Sequence, residues 1–259
     1  MHFYTEKDGK IHPRHFVPMA KDPSRTRASR VTDAKKAKKE GETWLPSVTT
    51  VLNILDKPGL NNWRVDQHLS VAHEFYRDGI VKSEDDYLHA IKGLTRERLD
   101  AAPKAGTDIH KVLEDFIGKG IAPDNDIELK ICHNVQDALI KHCDSTKGFE
   151  CEKYFLDTDY GYAGCADLVR DDWVIDYKSK QEASKFKPGK MAYPEHQRQL
   201  AAYDYGLGDP KRCANIFICL ETGEIDFHEH TKESLEKGWK IFKHCLEIYK
   251  LETYNPLGE

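Results

Sequence analysis

The sequence lacks the features that define several large protein classes. Its seven cysteines are an odd number and none are spaced as CxxC, which disfavours a disulfide framework, structural zinc or an iron–sulfur cluster. No apolar run approaches the roughly 20 residues of a membrane helix. The first residues have no basic start followed by an apolar stretch, so we expect no secretory signal and a cytoplasmic protein. The net charge of −5 excludes overall attraction to nucleic acid, so such contacts would need local basic patches.

What is present is the composition of an ordinary globular protein. The chain has 259 residues, of which 39% are hydrophobic and 32% charged. That length suffices for one large domain, or for a compact core with an added helical region. Residues 44–100 show short helical patterns broken at Pro46 and at the pair Pro58-Gly59, and we interpret them as an N-terminal helical cap. Residues 101–259 then form the core.

Residues 1–43 precede the cap and are predicted to form a basic arm. Its cations concentrate in residues 21–39, where only Asp22 and Asp33 oppose them. They are Lys21, Arg25, Arg27, Arg30, Lys35, Lys36, Lys38 and Lys39. Such an arm could pair with phosphates, but lysine-rich segments are as often mobile and solvated.

Hydrophobic periodicity predicts a mixed α/β core of the α+β kind, with a central mixed sheet flanked by helices. An amphipathic helix begins at Ala105 and ends near Gly118, and a second covers residues 126–142. The period then changes to that of strands over residues 149–157, 162–170 and 173–178, which form a meander. A helix at 194–207, strands at 212–221 and 224–230, and a helix at 231–251 follow.

The strand at 173–178 carries the first candidate catalytic residues. Asp176 and Lys178 project on the same side because side chains alternate along a strand. Taken alone, the pair could be an exposed salt bridge. Asp167, however, lies nine residues earlier across one tight turn, and antiparallel pairing would bring the two carboxylates together. Two close carboxylates favour a bound Mg²⁺ or Mn²⁺, and Lys178 could then orient water for attack on a phosphate.

Further polar residues join this group as weaker candidates. His110 and Glu114 lie one turn apart on one helix face, although a lone histidine is more often a surface or core residue. Glu152 is a secondary ligand candidate whose direction depends on strand register. Gln199 and Tyr203 share a face of the later helix, which could also be an ordinary half-buried helix.

Four segments in order, GTDIHKVLE, GYAGCADLV, WVIDYKSK and QLAAY, resemble the motifs of RecB-like nucleases in the PD-(D/E)XK superfamily. LPSVTTVL with Trp63 downstream is similar to the N-terminal part of phage exonucleases and of the mitochondrial genome maintenance exonuclease. The resemblance spans about residues 45–250 and implies a restriction-endonuclease-like core. The four-cysteine cluster of some CRISPR-associated relatives is missing, which removes the iron–sulfur cofactor.

The resemblance also implies residue roles. Lys178 would be the catalytic lysine, acting with Asp167 and Asp176. One or two Mg²⁺ or Mn²⁺ ions would be held by His110, Asp167, Asp176 and the backbone carbonyl of Tyr177, with Glu152 matching an acidic position before the second motif. The remaining matches are to groups that position the active site or the DNA: Gln199 and Tyr203 of the QxxxY helix, Ser179 where threonine is common, and Lys180.

The function that we expect is therefore Mg²⁺-dependent hydrolysis of DNA from single-stranded ends, by an exonuclease of a phage or of bacterial replication, recombination or repair. A strand threaded beneath the cap could stack on Trp44, Trp63, Phe75 or Tyr76, although most of these aromatics should be core residues. Possible partners are phage or host single-strand-binding or recombination proteins. The rivals are a structure-specific or restriction-type endonuclease and a non-catalytic DNA-binding recombination partner.

Overall fold

The computed structural model describes residues 1–19, 22–78, 83–208 and 211–258. Its backbone contacts divide the chain into two units, which we call unit 1 (residues 1–55 and 113–259) and unit 2 (residues 56–112). The predicted boundaries at 43/44 and 100/101 differ from this division. The reason is that the first 55 residues fold as part of unit 1 instead of standing apart as an arm.

The N-terminal residues of unit 1 form small sheets and a helix. Strands β1 (Phe3–Lys7) and β2 (Lys10–Pro13) make a hairpin that is later joined by β5 (Leu45–Pro46). Strands β3 (Phe16–Met19) and β4 (Asp22–Ala28) form a separate two-stranded ribbon, followed by helix α1 (Val31–Lys39). The segment predicted as a basic arm is thus folded, apart from Lys21, which lies outside the described residues.

A five-stranded mixed sheet forms the centre of unit 1. Its strands are β6 (Glu150–Asp157), β7 (Tyr162–Arg170), β8 (Trp173–Lys180), β9 (Arg212–Cys219) and β10 (Ile225–Glu229), in the spatial order β10-β9-β8-β7-β6. All neighbours are antiparallel except β8 and β9. The predicted meander and mixed α/β class are confirmed, because alternating apolar residues and short turns specify these strands locally.

Helices pack around this sheet. Helix α2 (Val48–Leu52) begins at Ser47, whose hydroxyl accepts a hydrogen bond from the Thr50 amide. Helix α5 (Asp126–Cys143), helix α6 (Pro194–Gly206) and helix α7 (Lys232–Glu252) match the predicted segments to within two residues. One large cluster of buried apolar side chains joins the sheet to α6, α7, α1 and α2. This core fixes α6 against the strands that carry the candidate residues.

Unit 2 consists of helix α3 (Pro58–Asp78) and most of helix α4 (Glu84–Leu113), which continues into a π-helical turn at Glu114–Gly118. Helix α4 therefore begins 21 residues before the predicted start at Ala105. Within unit 2, Phe75 contacts Tyr87 edge-on at 6.4 Å, and Tyr76 is 82% exposed. No helix in the described ranges combines the length and apolar character required to cross a bilayer.

Trp44 does not belong to a helical cap. Its ring is buried in the core of unit 1 next to Phe3, and its indole N–H donates to Glu42 at 3.0 Å. The guanidinium of Arg14 lies over its ring at 5.7 Å. The expectation that Trp44 could stack on a base is therefore corrected, whereas the expectation that most of these aromatics pack inside holds for this residue.

Candidate active site

The candidate residues gather where the central sheet loses its regular pairing. Strands β7 and β8 pair only from Leu168↔Ile175 to Arg170↔Trp173, so the ladder stops just before Asp167 and Asp176. Between β6 and β7 the same register continues on both sides of Glu152 and Asp167, yet these two residues do not pair. Glu152 has a φ of 52°, a left-handed conformation that is uncommon for a non-glycine residue. The interruption frees side chains of neighbouring strands to converge.

Two carboxylates of unit 1 converge at this interruption in an arrangement that could hold a metal ion. A carboxylate oxygen of Glu152 and one of Asp167 lie within 4.8 Å of each other, and both residues are half-buried. His110, the expected histidine ligand, belongs to helix α4 of unit 2 and is also half-buried. The amide N–H of Tyr177 donates to Asp167 Oδ2 at 2.6 Å, in place of a ladder bond. Asp176, which we expected to share the ion with Asp167, lies outside this group. Glu152, predicted as a secondary ligand, belongs to it.

Two cysteine thiols lie close to the carboxylates of this region and are affected by their negative charge. The Sγ of Cys165 donates to Glu152 Oε2 at 3.1 Å. Burial raises the pKa of Cys151 to about 11, with further contributions from the carboxylates of Glu114, Glu152 and Asp167. Glu114, predicted as an outlying candidate, therefore lies within electrostatic reach of the same place. Its carboxylate also pairs with Lys119 at 3.1 Å.

Asp176 is held on the next strand by a set of hydrogen-bond donors. It is only 3% exposed, and a buried carboxylate is costly unless it is paired. Its Oδ1 accepts from Gln199 Nε2 at 2.9 Å, and its Oδ2 accepts from Asn215 Nδ2 at 2.8 Å. The ammonium of Lys178 forms a salt bridge with the same Oδ2. Asp176 and Lys178 thus form the pair that strand alternation predicted.

Two residues that the sequence analysis did not select complete this network. Asn215 lies on β9 directly opposite Asp176 and is fully buried. Because its amide N–H group donates to Asp176, its Oδ1 is the atom that accepts from His230 Nε2 at 2.8 Å. Burial, followed by the nearby His228, lowers the pKa of His230 to about 4, which keeps the ring neutral. A single asparagine inside the apolar run RCANIFIC was the sequence signal for this site.

Helix α6 supplies the remaining contacts. Its first turn carries Pro194, and the preceding Tyr193 is extended and donates its amide N–H to His196 Nδ1 at 3.1 Å. The helix presents Gln199 and Tyr203 one turn apart, as predicted, and Gln199 Nε2 also donates to the Tyr203 hydroxyl at 2.8 Å. Burial raises the pKa of Tyr203 well above its usual value, helped by the charges of Asp176 and Asp167. Its hydroxyl therefore stays protonated.

The last predicted residues follow along β8. Tyr177 is buried, and burial raises the pKa of its hydroxyl well above the usual value, with Asp167 as the next cause. Ser179 and Lys180 end the strand opposite Ile218 and Cys219 of β9. Ser179 is half-buried and Lys180 is exposed, so only the latter is open to a large ligand.

The donor set suits a hard divalent cation. Carboxylate oxygens are the preferred ligands of Mg²⁺ and Mn²⁺, and an imidazole is compatible with Mn²⁺. A cation would also offset the repulsion between the neighbouring carboxylates of Glu152 and Asp167. The side chains present therefore fit such an ion, while the Asp176 and Lys178 pair lies on the adjacent strand.

Comparisons with known proteins add overall resemblance only. No protein-family model and no curated protein matches the chain. A solved structure from Eubacterium rectale, described as a candidate exonuclease, is 12% identical, covers 60% of this chain and 69% of its own, and has a TM-score of 0.41. The solved structure of SSO0001 is 12% identical, covers 73% of this chain and 87% of its own, and has a TM-score of 0.33. Likenesses at this level carry no functional argument.

Proposed function

We propose that this protein is a metal-dependent nuclease that hydrolyses phosphodiester bonds in DNA. The observation that carries the proposal is the convergence of the Glu152 and Asp167 carboxylates at the sheet interruption. The salt-bridged Asp176 and Lys178 lie on the next strand of the same sheet. Carboxylates and a lysine in this arrangement are the groups that phosphodiester hydrolysis requires. The four motifs that resemble RecB-like nucleases support the same reading.

The metal would be held by Glu152 and Asp167, with His110 as the histidine ligand that the resemblance implies. When bound, Mg²⁺ or Mn²⁺ supplies Lewis-acid polarisation of a phosphoryl oxygen. The Tyr177 amide donates to one oxygen of Asp167 and so helps to orient this carboxylate. Asp176 completes the acidic site from β8, and its nearness to Lys178 makes it the anchor of the lysine.

Lys178 is the group that we assign to the attacking water. An ammonium has three donors, of which the salt bridge to Asp176 occupies one. Because Gln199 and Asn215 fix Asp176, the position of the ammonium is fixed in turn. Its side chain is 28% exposed, so it can reach a substrate phosphate. It would orient the water and offset negative charge that develops on the phosphate.

The preferred substrate in this proposal is a DNA strand with a free single-stranded end. The resemblance to phage and mitochondrial exonucleases supports an end requirement and a role in replication, recombination or repair. Exposed Lys180, two residues after Lys178, offers a cation for phosphate. Partner proteins that bind single strands or act in recombination fit the same role.

The test compares two substrates that differ only in having an end. Wild type, Asp167→Asn and the control Asp159→Asn are incubated with Mg²⁺ on end-labelled linear single-stranded DNA and on a closed single-stranded circle. Asp159 is an exposed turn residue outside the site. Loss of the linear strand alone, abolished by EDTA and by Asp167→Asn but not by Asp159→Asn, supports the exonuclease.

Other outcomes separate the rivals. Cutting of the circle by wild type would make the protein an endonuclease that uses the same residues. Binding of either substrate without cutting, with Mg²⁺ or Mn²⁺, would favour a non-catalytic DNA-binding role. Equal activity of Asp167→Asn and wild type would show that the hydrolysis does not use this site.

A further inference from the structure

The positive charge of the protein is concentrated in one folded segment. Residues 10–40 contain ten lysines or arginines against Asp22, Asp33 and Glu40, a net charge of +7. Since the whole chain carries −5, the remaining residues carry −12. A segment of opposite sign to the rest of the chain attracts polyanions locally even though the molecule as a whole does not.

Helix α1 holds part of this charge on a rigid support. Ala34 and Ala37 are buried in the core of unit 1, which fixes the rotation of the helix about its axis. Lys35, Lys36 and Lys39 are exposed as a consequence. Residues four apart lie about 6 Å apart along a helix axis, so Lys35 and Lys39 form a short row of cations. A mobile solvated arm would not keep such a row in place.

The structure divides the cations of this segment into two kinds. Arg27 donates to both oxygens of Asp33, at 2.8 and 2.7 Å, and thereby ties the β3–β4 ribbon to α1. Lys38 donates to the backbone oxygens of Asn255 and Gly258. By contrast, no ion pair among the described residues engages Arg25, Lys35 or Lys39, and Lys36 has only a solvent-exposed pair with Glu40 at 3.7 Å. Arg27 and Lys38 thus hold the folded segment together, whereas Arg25, Lys35, Lys36 and Lys39 are exposed and open to a ligand.

The ribbon adds an exposed aromatic ring. Pairing of Phe16 with Ala28 and of Val17 with Arg27 puts Phe16 and Arg27 on opposite faces of the ribbon. The inner face packs Val17 against the core, whereas Phe16 on the outer face is 67% exposed. Because Arg27 connects the ribbon to α1 through Asp33, this ring and the lysines lie on neighbouring elements. Exposed aromatic rings and cations together bind single-stranded nucleic acid, because bases stack on the rings and phosphates pair with the cations.

We infer that Arg25, Lys35, Lys36 and Lys39, together with Phe16, form a docking surface for single-stranded nucleic acid. We call it the basic surface. It lies on elements other than those of the catalytic strands, so it would hold the strand by backbone and stacking contacts without taking part in hydrolysis. The inference rests on the proposed function for the identity of the polyanion, but it is tested by binding alone.

The experiment measures binding of fluorescein-labelled oligothymidylate by anisotropy in EDTA, so that no hydrolysis occurs. The triple variant Lys35→Ala, Lys36→Ala, Lys39→Ala is compared with wild type across a salt series. The control triple variant, Lys232→Ala, Lys237→Ala, Lys240→Ala, removes the same charge from exposed positions of α7. Thermal unfolding checks that all variants are folded, and lysine-to-glutamine triples replace the alanine triples if they are not.

The expected results distinguish ionic from stacking contacts. Loss of three phosphate contacts lowers the magnitude of the slope of log K against log salt by about 2, because each contributes about 0.7 for single strands. Phe16→Ala should weaken binding about tenfold while leaving that slope unchanged. The control triple should behave as wild type in both respects.

Several results would overturn the inference. One is a slope of log K against log salt for the Lys35, Lys36, Lys39 triple variant that equals the wild-type slope. Another is a loss of affinity for oligothymidylate by the control triple variant that is equally large. Binding to anionic phosphatidylserine vesicles with no binding to oligothymidylate would assign the surface to membranes instead. If wild type binds the oligonucleotide through this surface but never cleaves DNA with Mg²⁺, the basic surface stands and the proposed nuclease fails.

Discussion

Asp176 is a charged side chain with almost no exposure, and its surroundings decide what it can do. Gln199 and Asn215 each donate to one of its oxygens, and Lys178 supplies the compensating charge. His230 in turn orients the Asn215 amide. Hydrogen bonds to a charged group contribute more than neutral ones, and removing one partner of a buried group costs its desolvation. The network therefore links Asn215 of β9 and His230, which follows β10, to Lys178 on β8.

The substitution Asn215→Leu should distinguish the effect of this hydrogen-bond network from the effect of core packing. The substitution keeps the number and branching of the side-chain heavy atoms but leaves Asp176 Oδ2 without its amide donor, so we expect a loss of about 1 to 3 kcal/mol in the free energy of unfolding. We also expect kcat for DNA cleavage to fall more than KM changes, because the lysine is displaced rather than the DNA. Urea unfolding and steady-state kinetics measure the two effects.

The control for this prediction is Ile216→Leu, a volume-conserving change at the next, fully buried position of β9. It should cost under about 1.5 kcal/mol and leave kcat near wild type. If both variants lose kcat to the same extent, the Asn215 amide has no specific role.

Glu152 combines an uncommon backbone conformation with a candidate ligand role. At φ 52°, glycine is conformationally favoured over any residue with a β-carbon. Glu152→Gly should therefore keep the free energy of unfolding or raise it by up to about 1 kcal/mol, while it weakens Mn²⁺ binding and cleavage. Calorimetric titration measures Mn²⁺ binding and chemical unfolding measures stability. Both are carried out on Glu152→Gly and, for comparison, on Glu152→Gln. A variant that lost stability and retained metal binding would contradict it.

At the scale of elements, α6 transmits the packing of the core to the site. Gly238 of α7 lies against α6 so closely that an added β-carbon would be 2.8 Å from the Gln197 carbonyl oxygen and 3.2 Å from the Ala201 β-carbon. A side chain there must push α7 away from the helix that carries Gln199 and Tyr203. Overpacking of this kind typically costs about 1 to 3 kcal/mol.

Gly238→Ala should accordingly lower both the unfolding midpoint and the cleavage rate. Gly93→Ala in α4 is the matched control, because an added β-carbon there meets nothing within 4 Å. That control should gain up to about 1 kcal/mol from helix propensity. Thermal unfolding of the two variants settles the comparison, and a Gly238→Ala protein as stable as wild type would show that α6 and α7 can separate freely.

An element can be predicted from the sequence when the pattern that specifies it lies within its own residues and the adjoining turns. Strands β6 to β8 and helices α5, α6 and α7 follow from period and turn residues alone, and so does the pairing of Asp176 with Lys178. The β1–β2 hairpin and the ribbon were missed because their strands are short and rich in polar residues, which leaves little hydrophobic alternation to detect. The approach of Glu152 to Asp167 depends on where the strand pairing is interrupted, which is a tertiary property that strand alternation does not predict.

At the scale of the whole molecule, buried neutral histidines make stability depend on pH. Burial lowers the pKa of His196 to about 3 and that of His230 to about 4. The unfolded chain binds protons near the ordinary value of 6.5, so it takes up protons before the folded protein does. The contribution of these histidines to the free energy of unfolding is therefore fully present above about pH 6.5. It decreases as the pH falls toward 4.

His230→Gln should reduce this decrease, because glutamine keeps an N–H donor for Asn215 but does not titrate. We expect the loss of unfolding free energy between pH 6.5 and 4 to be smaller than in wild type by up to about 3 kcal/mol. His244→Gln changes an exposed histidine of α7 and should leave the profile as it is. Urea unfolding at several pH values gives the curves, and parallel curves for His230→Gln and wild type would refute the assignment.

The most direct measurement of the central claim is the single-turnover rate of linear single-stranded DNA cleavage with Mg²⁺ by Lys178→Ala. The control is Lys237→Ala, which removes an exposed lysine of α7. We predict that Lys178→Ala loses about 100-fold or more in rate, the usual cost of removing a group that stabilises transition-state charge, while it retains Mn²⁺ binding. Lys237→Ala should cleave at the wild-type rate. Cleavage by Lys178→Ala at the wild-type rate would contradict the account.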